Sequence, residues 1–534
     1  MKKKILIIGL DGATFDVINP LIEKGFLPNI KKLKEEGAYG NMKSTIPPIT
    51  GPAWVAMATG KNPGKTGVFD FLNFNEKREI RAVSSRDFAG TAYWDYLSEV
   101  GYKIGLLNYP VLYPPYKING FMVSGMIASI KDEICYPGSL RQELDKALGS
   151  YEIMVYFNKA RYTDREDRFI NDTERLIKKR IKAAKYLLKN KDWDLFNVTF
   201  SATDAICHYL WKYWDDELFL ESRNPRKAFF RKAFCDLWAK VDEGIGQIIK
   251  LVPKETTIFI VSDHGFGKQE GLFFPNSWLV GQGYLKKKSN KNIPSLKRKI
   301  KESGKQIIRI IDTHFRVDLK SFFARFVKKE KIFSVCDLSN SVAYAGEYSN
   351  NIVGIHITSI KDKDKIRDKI INDLQEFSTK YGVSIDTWKK EKIYKGDYIE
   401  RFPDLVLSVN NFASGIMVNK IGKDFYIKDG KISKSVSGSH RLNGIFIAYG
   451  EDIKAGKIEA DIIDLFPTLL YFAEQKIPYN IDGRALKEIF KDDFNQAKKE
   501  EKYDPQFLNK KSEVDDEYGQ IEQTKKRLKD LGYL

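Results

Sequence analysis

Short, almost wholly apolar runs recur along this chain and constrain its fold more than any other feature. Stretches with helical periodicity, such as NDTERLIKKRIKAAKYLLKN, separate them. Strands that alternate with helices predict an α/β fold, in which helices cover both faces of a mainly parallel central sheet. The apolar runs, each typical of a strand buried on both faces, are KILIIGL, KIGLLNYP, DLFNVTFS, TTIFIVS, DLVLSV and GIFIAYG.

The chain has 534 residues and is 43% hydrophobic, which suits a globular protein with a large core and more than one domain or inserted segment. No apolar run approaches the roughly 20 residues that span a bilayer. The apolar residues 5–10 lead into Asp11 instead of a small-residue cleavage site, so they predict a buried strand and not a signal peptide. We therefore expect a soluble, cytoplasmic protein.

The cysteines are scattered, without a Cys-x-x-Cys pair, which argues against a disulfide framework and against a thiolate metal site. We expect them to be buried or incidental thiols. They are Cys135, Cys207, Cys235 and Cys336.

Most of the net charge of +18 comes from one segment. Residues 286–331 carry sixteen Lys or Arg against four Asp or Glu, a local excess of +12. This segment predicts one of two things. It is a cap that steers an anionic substrate to the site, or it is a patch that binds an anionic membrane, in which case the substrates would be lipid-linked phosphates. Nucleic-acid binding is not expected, because no recognition motif accompanies the charge.

The alternation of strands and helices, and the places where it is interrupted, predict the domain organisation. Residues 1–280 and 336–490 form a discontinuous core, and residues 281–335 form a basic, amphipathic insertion or cap. Residues 491–534 are a charged, helical C-terminal tail.

Three aspartates share one context, since each follows a predicted strand. Asp11 follows ILIIGL, Asp204 follows LFNVTFSAT, and Asp263 follows TIFIVS. The carboxyl ends of parallel strands meet at one edge of a sheet, and ligands bind there. We therefore expect the three carboxylates to converge on one cleft.

The chain has only five histidines, and three of them are candidate ligands. Two lie close to these aspartates in the sequence, and the third lies in a glycine-flanked loop. His208 lies one helical turn after Asp204, His264 follows Asp263, and His440 lies in SVSGSHRLNG. Clusters of Asp and His suit two divalent ions, with zinc as our first choice and manganese or iron as alternatives.

Thr50, in STIPPITGPAWVAMATG, is the predicted nucleophile. A divalent ion stabilises the alkoxide of a threonine that is otherwise a poor nucleophile. At the start of a short helix, the threonine lies beside free N–H groups that suit an incoming phosphate. Without the metal ligands, Thr50 as a helix cap would be the alternative interpretation.

The series GLDG, TGPAWVAMATG, ATDAICH, VSDHGFG, SGSH and DIIDLFPTLLYFAEQKIPYNIDGRAL resembles the alkaline phosphatase superfamily, and most closely its type I phosphodiesterase/nucleotide pyrophosphatase branch. The resemblance implies an alkaline-phosphatase-like core, a covalent phospho-threonine intermediate and a small phosphorylated substrate. It also implies two metal sites, one with Asp11, Asp263, His264 and Thr50, the other with Asp204, His208 and His440.

The chain departs from the family pattern beside the nucleophile. Ala53 replaces an asparagine that binds the phosphoryl group in nucleotide pyrophosphatases, and Thr66 replaces a histidine. Another donor, Arg441 or a lysine of the basic segment, is then expected to hold the anion. The sulfatase branch is disfavoured because its motif at the nucleophile is missing, and the phosphoglycerate mutases are distant relatives.

Three functions are compatible with this pattern. The first is a metal-dependent phosphohydrolase acting on diesters, pyrophosphates or monoesters. The second is a phosphoryl-group transferase or mutase on the same core. A binding module without turnover is disfavoured, because decay is expected to remove at least one ligand. The sequence does not predict an oligomeric state.

Overall fold

The chain forms two compact units in the computed structural model. The first unit comprises Met1–Gln269, Ile393–Phe402 and Ile432–Tyr533, and the second comprises Glu270–Lys392 and Pro403–Lys431. The structure describes residues 2–74, 80–128, 133–155, 162, 165–214, 225–288, 335–346, 348, 352–359, 361–428, 437–497 and 500–504.

The strands of both units are numbered here in chain order. They are β1 (Ile5–Leu10), β2 (Ala38–Lys43), β3 (Leu72–Phe74), β4 (Ile80–Ala82), β5 (Ile104–Tyr109), β6 (Gly120–Ser124), β7 (Cys135–Tyr136), β8 (Leu195–Phe200), β9 (Thr257–Val261), β10 (Gly265–Lys268), β11 (Leu272–Phe273), β12 (Ala343–Gly346), β13 (Ile352–Ile357), β14 (Ile385–Lys389), β15 (Leu405–Val409), β16 (Gly415–Ile416), β17 (Tyr426–Ile427), β18 (Gly438–Arg441), β19 (Asn443–Tyr449), β20 (Gly456–Asp461), β21 (Ile477–Pro478) and β22 (Lys502–Tyr503).

The α-helices are numbered in the same way. They are α1 (Phe15–Glu23), α2 (Pro28–Glu36), α3 (Thr50–Thr59), α4 (Pro63–Thr66), α5 (Tyr93–Glu99), α6 (Ser139–Leu148), α7 (Glu166–Asn190), α8 (Ala202–Trp214), α9 (Pro225–Ile249), α10 (Pro275–Gly281), α11 (Lys363–Tyr381), α12 (Lys390–Ile393), α13 (Leu465–Phe472) and α14 (Asp492–Gln496). Short 3-10 turns lie at Ser85–Asp87, Leu338–Asn340, Ile399–Arg401, Ile462–Asp464 and Lys487–Ile489.

A nine-stranded sheet forms the centre of the first unit, in the order β20-β2-β19-β9-β1-β8-β5-β6-β7. Strands β9, β1, β8, β5 and β6 run parallel to one another, whereas β19 is antiparallel to both of its neighbours. Every residue of β1, β5 and β8 is buried, as expected for strands covered on both faces. The predicted α/β fold with a mainly parallel sheet is confirmed.

Two sets of helices flank this sheet. Helix α9 packs against both α2 and α7, and α3, α5 and α13 form a second packed set. The predicted helix NDTERLIKKRIKAAKYLLKN lies within α7, whose apolar face is buried at a helical spacing.

The second unit has a different architecture. Its four-stranded antiparallel sheet has the order β12-β13-β15-β14, and α11 packs onto it through Ile370, Leu374 and Phe377. The run DLVLSV, which includes β15, belongs to this sheet and not to the parallel one. A short run buried on both faces has the same appearance in either kind of sheet, so the pattern alone could not place it.

Most of the predicted basic insertion, residues 289–334, lies outside the described residues, as do residues 505–534 of the predicted tail. The domain boundaries taken from the sequence therefore stay predictions. The start of the predicted tail packs in the first unit, where the ring of Phe494 stacks 4.8 Å from that of Phe490.

Two smaller expectations from the sequence can be compared with the described residues. The four cysteines are buried and free. Among the helices that the structure describes, none is both long and apolar enough to cross a bilayer. The cytoplasmic location stays a prediction.

Candidate metal centre and nucleophile

The central strand β1 and its two neighbours bring the three predicted aspartates together. Strand β1 lies between β8 and β9, with the carboxyl ends of all three at one edge of the sheet. Asp11 follows β1, Asp263 lies two residues beyond β9, and Asp204 lies in the first turn of α8, just beyond β8. Their convergence on one edge is what the strand order predicts.

The turns at these strand ends are held by hydrogen bonds among buried groups. The backbone N–H of Gly12 donates to Oδ1 of Asp263 (3.1 Å), and that of Ala13 donates to Oγ of Ser262 (2.8 Å). Oγ of Thr203 donates to the carbonyl of Asp11 (2.6 Å). Each carboxylate therefore sits on a turn that is tied to the neighbouring strand.

Two histidines come from a short antiparallel ribbon. Strand β10 begins immediately after His264, and it pairs with β18, which carries His440. The two imidazole rings stack, with centroids 3.7 Å apart and planes inclined by 19°. His208 reaches the same place from α8, four residues after Asp204.

The Asp11 cluster consists of Asp11, Asp263 and His264. Nε2 of His264 lies 3.3 Å from Oδ2 of Asp263 and 3.6 Å from Oδ1 of Asp11. Oγ1 of Thr50 lies 3.3 Å from the same nitrogen. All four side chains are completely buried. The predicted nucleophile is therefore a direct neighbour of this cluster.

The Asp204 cluster consists of Asp204, His208 and His440. Oδ1 of Asp204 lies 3.4 Å from Nε2 of each histidine, and the two Nε2 atoms are 3.0 Å apart. The structure thus brings together all seven predicted site residues, in the two sets that the family resemblance implies.

Each imidazole is oriented by a backbone carbonyl oxygen. Nδ1 of His208 donates to Gly438, Nδ1 of His264 to Gly265, and Nδ1 of His440 to Pro48, at 3.2, 3.0 and 2.9 Å. A carbonyl oxygen can only accept, so Nδ1 carries the proton in each ring. Nε2 is then the ring nitrogen that can present a lone pair to the cluster, which is the tautomer of a metal ligand.

The carboxylates lack hydrogen-bond partners on the side that faces these lone pairs. Both oxygens of Asp11, both of Asp204 and Oδ2 of Asp263 are buried without a partner. Buried polar atoms are almost always paired, so facing carboxylates and lone pairs indicate a place for a cation. Within each cluster, one candidate ligand atom per residue lies within 4.8 Å of the others.

The spacing of these atoms also suits a cation. Two nitrogen or oxygen ligands at about 2.0–2.1 Å from a tetrahedral ion lie about 3.3–3.4 Å apart. The observed separations are 3.3 and 3.6 Å in the Asp11 cluster and 3.0 and 3.4 Å in the Asp204 cluster. Each cluster therefore fits one small divalent ion.

The two clusters differ in their electrostatics. Burial, and then the charges of Asp263 and Asp204, raise the pKa of Asp11 well above its usual value, and burial raises the pKa of Asp263 to about 7. Burial also opposes ionisation of Asp204, but His208 and His440 outweigh it and hold its pKa at about 2. Burial lowers the pKa of His208 to about 4, which favours the neutral ligand form.

Helix α3 places Thr50 at the edge of the sheet. Thr50 is its first residue and Ile49 is the N-cap, so the threonine side chain is not the cap. Gly60 ends the helix at φ 64°, as its position in the sequence predicts. The N–H groups of Thr50 and Gly51 begin the helix and have no acceptor within it, so they are free to face an anion beside the threonine hydroxyl.

Phe266 is a part of the site that the sequence analysis missed. Its buried ring lies 4.7, 6.0 and 5.2 Å, centroid to centroid, from the rings of His208, His264 and His440. A Cβ on Gly12, which has φ +66°, would lie 2.9 Å from this ring. The glycine of GLDG therefore admits both the turn and the phenylalanine that touches all three histidines.

The residues that depart from the family pattern have local roles. The N–H of Ala53 donates to the carbonyl of Ile49 within the first turn of α3 (3.0 Å). Oγ1 of Thr66 accepts from the N–H of Val68 (3.3 Å). Arg441 is one of the residues expected to replace the missing asparagine as a hydrogen-bond donor to the substrate. Its guanidinium group donates to the carbonyls of Ser439 (3.3 Å) and His440 (3.0 Å).

A family model described as type I phosphodiesterase / nucleotide pyrophosphatase matches residues 5–424. The chain belongs to this family. Membership agrees with the resemblance read from the sequence, and it makes the protein a phosphodiesterase/pyrophosphatase-type enzyme with an alkaline-phosphatase-like fold. A comparison with curated proteins finds no match.

Solved structures that align with this family member include ectonucleotide pyrophosphatase/phosphodiesterase 5 from two species. The human protein is 13% identical, with a TM-score of 0.47, and the alignment covers 90% of this chain and 97% of that one. The murine protein, an inactive variant in complex with AMP, is 12% identical, with a TM-score of 0.47 and coverage of 90% and 98%.

Proposed function

We propose that this protein is a two-metal phosphohydrolase that cleaves a phosphate ester through a covalent intermediate on Thr50. One observation carries the proposal. Oγ1 of Thr50 lies, fully buried, 3.3 Å from a histidine nitrogen of the Asp11 cluster, beside carboxylates that have no other partner. Family membership supports the class of reaction.

Each cluster is proposed to hold one divalent ion. Asp11, Asp263 and His264 would bind the first, with Thr50 bridging toward it, and the Asp204 cluster would bind the second. The donor set of carboxylate oxygens and neutral imidazoles suits zinc, with manganese or iron as alternatives. When bound, such ions supply positive charge that favours the alkoxide of the nucleophile and offsets charge on the phosphoryl oxygens.

In the first step, Oγ1 of Thr50 attacks phosphorus in line. The bond from phosphorus to Thr50 forms while the ester P–O bond breaks. The threonine proton passes to water, and the leaving oxygen keeps the bonding electrons and takes a proton from water. The N–H groups of Thr50 and Gly51, at the positive end of α3, can hold a phosphoryl oxygen.

In the second step, water attacks the phospho-threonine from the side of the Asp204 cluster. The bond from phosphorus to the water oxygen forms while the bond to Thr50 breaks. The attacking water gives up a proton to solvent, and the threonine oxygen takes one up. Two in-line displacements at one phosphorus atom thus return Thr50 to its starting state.

We propose a small phosphorylated substrate, with a diester or pyrophosphate bond as the one that is cleaved. The site is buried and lined by Asp and His, and ions held there would offset the charge of a phosphate group. By charge alone, lysines of the basic segment 286–331 are proposed as further hydrogen-bond donors to the anionic substrate. The alternative proposal is that this segment binds the surface of an anionic membrane and that the substrate is a lipid-linked phosphate.

The test compares bis-p-nitrophenyl phosphate with p-nitrophenyl phosphate, using protein stripped with EDTA and restored with zinc or manganese. We expect two ions per chain and a metal-dependent preference for the diester. Preference for the monoester would redirect the proposal to a phosphatase or mutase. Two bound ions without hydrolysis, but with transfer to added glycerol, would replace the hydrolase by a transferase. Absence of metal binding would contradict the two-metal site.

A further inference from the structure

A tyrosine remote in sequence holds the loop that leads into the nucleophile. The hydroxyl of Tyr394 donates to the backbone carbonyl of Ile46 over 2.6 Å. Ile46 lies four residues before Thr50, and the carbonyl of Pro48, between them, accepts from Nδ1 of His440 (2.9 Å). One short loop therefore carries the nucleophile, orients a histidine of the Asp204 cluster and receives the tyrosine hydroxyl.

The segment that supplies Tyr394 also contacts the other end of α3. The N–H of Lys395 donates to Oδ1 of Asn62 (3.1 Å), and the N–H of Tyr398 donates to the carbonyl of Gly64 (3.0 Å). A Cβ on Gly64 would lie 2.6 Å from the carbonyl oxygen of Lys395, so the glycine permits this close approach. Residues 393–402 thus hold the chain before and after the helix of the nucleophile.

The direction of the Tyr394 hydroxyl is fixed by packing. The tyrosine is 2% exposed, and its ring stacks on that of Phe402 with centroids 3.7 Å apart. The ring of Phe69 lies 5.9 Å away on a tilted plane. Because the ring is confined by these contacts, loss of the hydroxyl would leave the Ile46 carbonyl without this donor.

We propose that Tyr394 is a positioning residue for the two-metal reaction. Its hydroxyl fixes the loop from Ile46 to Thr50, and thereby sets the place of the nucleophile and the orientation of His440. The inference rests on the proposed function, in which Thr50 is the nucleophile and His440 a metal ligand. A small displacement of a reacting atom lowers the reaction rate strongly, so a remote hydrogen bond that positions the nucleophile can control the rate.

The test is Tyr394→Phe, which keeps the stacked ring and removes only the hydroxyl. The matched control is Tyr102→Phe, because the Tyr102 hydroxyl also donates to a backbone carbonyl, that of Ala473 (3.4 Å), and Tyr102 is 3% exposed. With bis-p-nitrophenyl phosphate, we expect Tyr394→Phe to lower kcat about tenfold with KM changed less than about twofold. The control should keep the kcat of the wild type.

Two further measurements separate positioning from general stability and from the proposed function. Zinc titration should show several-fold weaker binding at the Asp204 cluster in Tyr394→Phe, with the same Tm as in Tyr102→Phe. Hydrogen exchange of the metal-free protein should be faster in the peptide that covers residues 44–60, again only in Tyr394→Phe.

Unchanged exchange, unchanged zinc affinity and unchanged kcat in Tyr394→Phe would overturn the inference. Equal losses in Tyr394→Phe and Tyr102→Phe would also overturn it, since they would indicate a general loss of stability. If the wild type neither binds metal nor hydrolyses the diester, the proposed function fails instead. The exchange measurement still decides whether the tyrosine holds the loop.

Discussion

The Asp11 cluster and the Asp204 cluster use the same two residue types in opposite proportions. The first has two carboxylates and one imidazole, and burial raises the pKa of both acids, that of Asp263 to about 7. The second has one carboxylate and two imidazoles, and the pKa of Asp204 is held at about 2. The Asp11 cluster therefore depends more on a cation to keep its acids ionised, and it is the one beside Thr50.

The largest effect is expected from Thr50→Ala, which removes the nucleophile but leaves all six Asp and His ligands. We expect kcat for a phosphodiester to fall by roughly a thousandfold or more, while both metal ions remain bound. Steady-state kinetics and metal content check this. Thr50→Ser, which keeps a hydroxyl, should retain part of the activity. A wild-type kcat in Thr50→Ala would contradict the covalent mechanism.

Asp263→Asn and Asp204→Asn should each lower the metal content from two ions to one, yet shift metal-free stability in opposite directions. Asp263→Asn removes a carboxylate that is costly to ionise, so Tm should rise by about 2 °C at neutral pH. Asp204→Asn removes a favourably ionised carboxylate, so Tm should fall. Calorimetry with EDTA measures both. Tm shifts of the same sign in the two variants would show that the pKa values of Asp263 and Asp204 are not shifted in opposite directions.

The pH dependence of the metal-free protein should show the Asp11 cluster directly. The folded pKa of Asp263 is raised, so this acid stabilises the fold below its usual pKa near 4, and the contribution is lost as pH rises through about 7. Burial raises the pKa of Asp11 in the same direction. The lowered pKa of His208 gives the opposite slope, so the contribution of Asp263 is measured as the difference between the wild type and Asp263→Asn. With EDTA, the Tm of the wild type relative to that of Asp263→Asn should fall between about pH 4 and 7.

Added zinc or manganese should reverse this trend near pH 7, because the ligands must be deprotonated to bind an ion. Asp263→Asn is the matched control, because it removes the titration of Asp263 and keeps the histidines. A wild-type Tm that rises with pH relative to that of Asp263→Asn would contradict the assigned pKa direction of Asp263.

The smallest effect is expected from Phe266→Leu, since the ring touches histidines of both clusters but binds no ion. We expect several-fold weaker zinc binding at both clusters together, because the imidazoles lose a common packing surface. Phe259→Leu is the control, as this equally buried phenylalanine packs on Phe446 and Phe472 instead. Weakening at only one cluster would limit the role of Phe266 to that cluster.

The parts of the site that could be predicted from the sequence are those with a local pattern. A strand followed by an aspartate, as at Asp11 and Asp263, indicates the edge of a parallel sheet, and four residues separate Asp204 from His208 on one helix face. The family resemblance then joined His440 to them. The central sheet could be predicted as well, because each of its apolar strands is a local run of buried residues.

The other parts have no local signal. The carbonyl of Pro48 orients His440, and the hydroxyl of Tyr394 holds Ile46, but neither contact can be read from the residues around it. Both depend on chain segments that are hundreds of positions apart. The second unit was missed for a related reason, because β15 has the same buried pattern as a strand of a parallel sheet.

The most direct test of the central claim is the stereochemistry of hydrolysis at a chiral phosphorothioate diester in water labelled with heavy oxygen. Each in-line displacement inverts phosphorus, so attack by Thr50 followed by attack by water predicts net retention of configuration. Net inversion would mean that water attacks the substrate directly, and it would contradict Thr50 as the nucleophile of a two-step reaction.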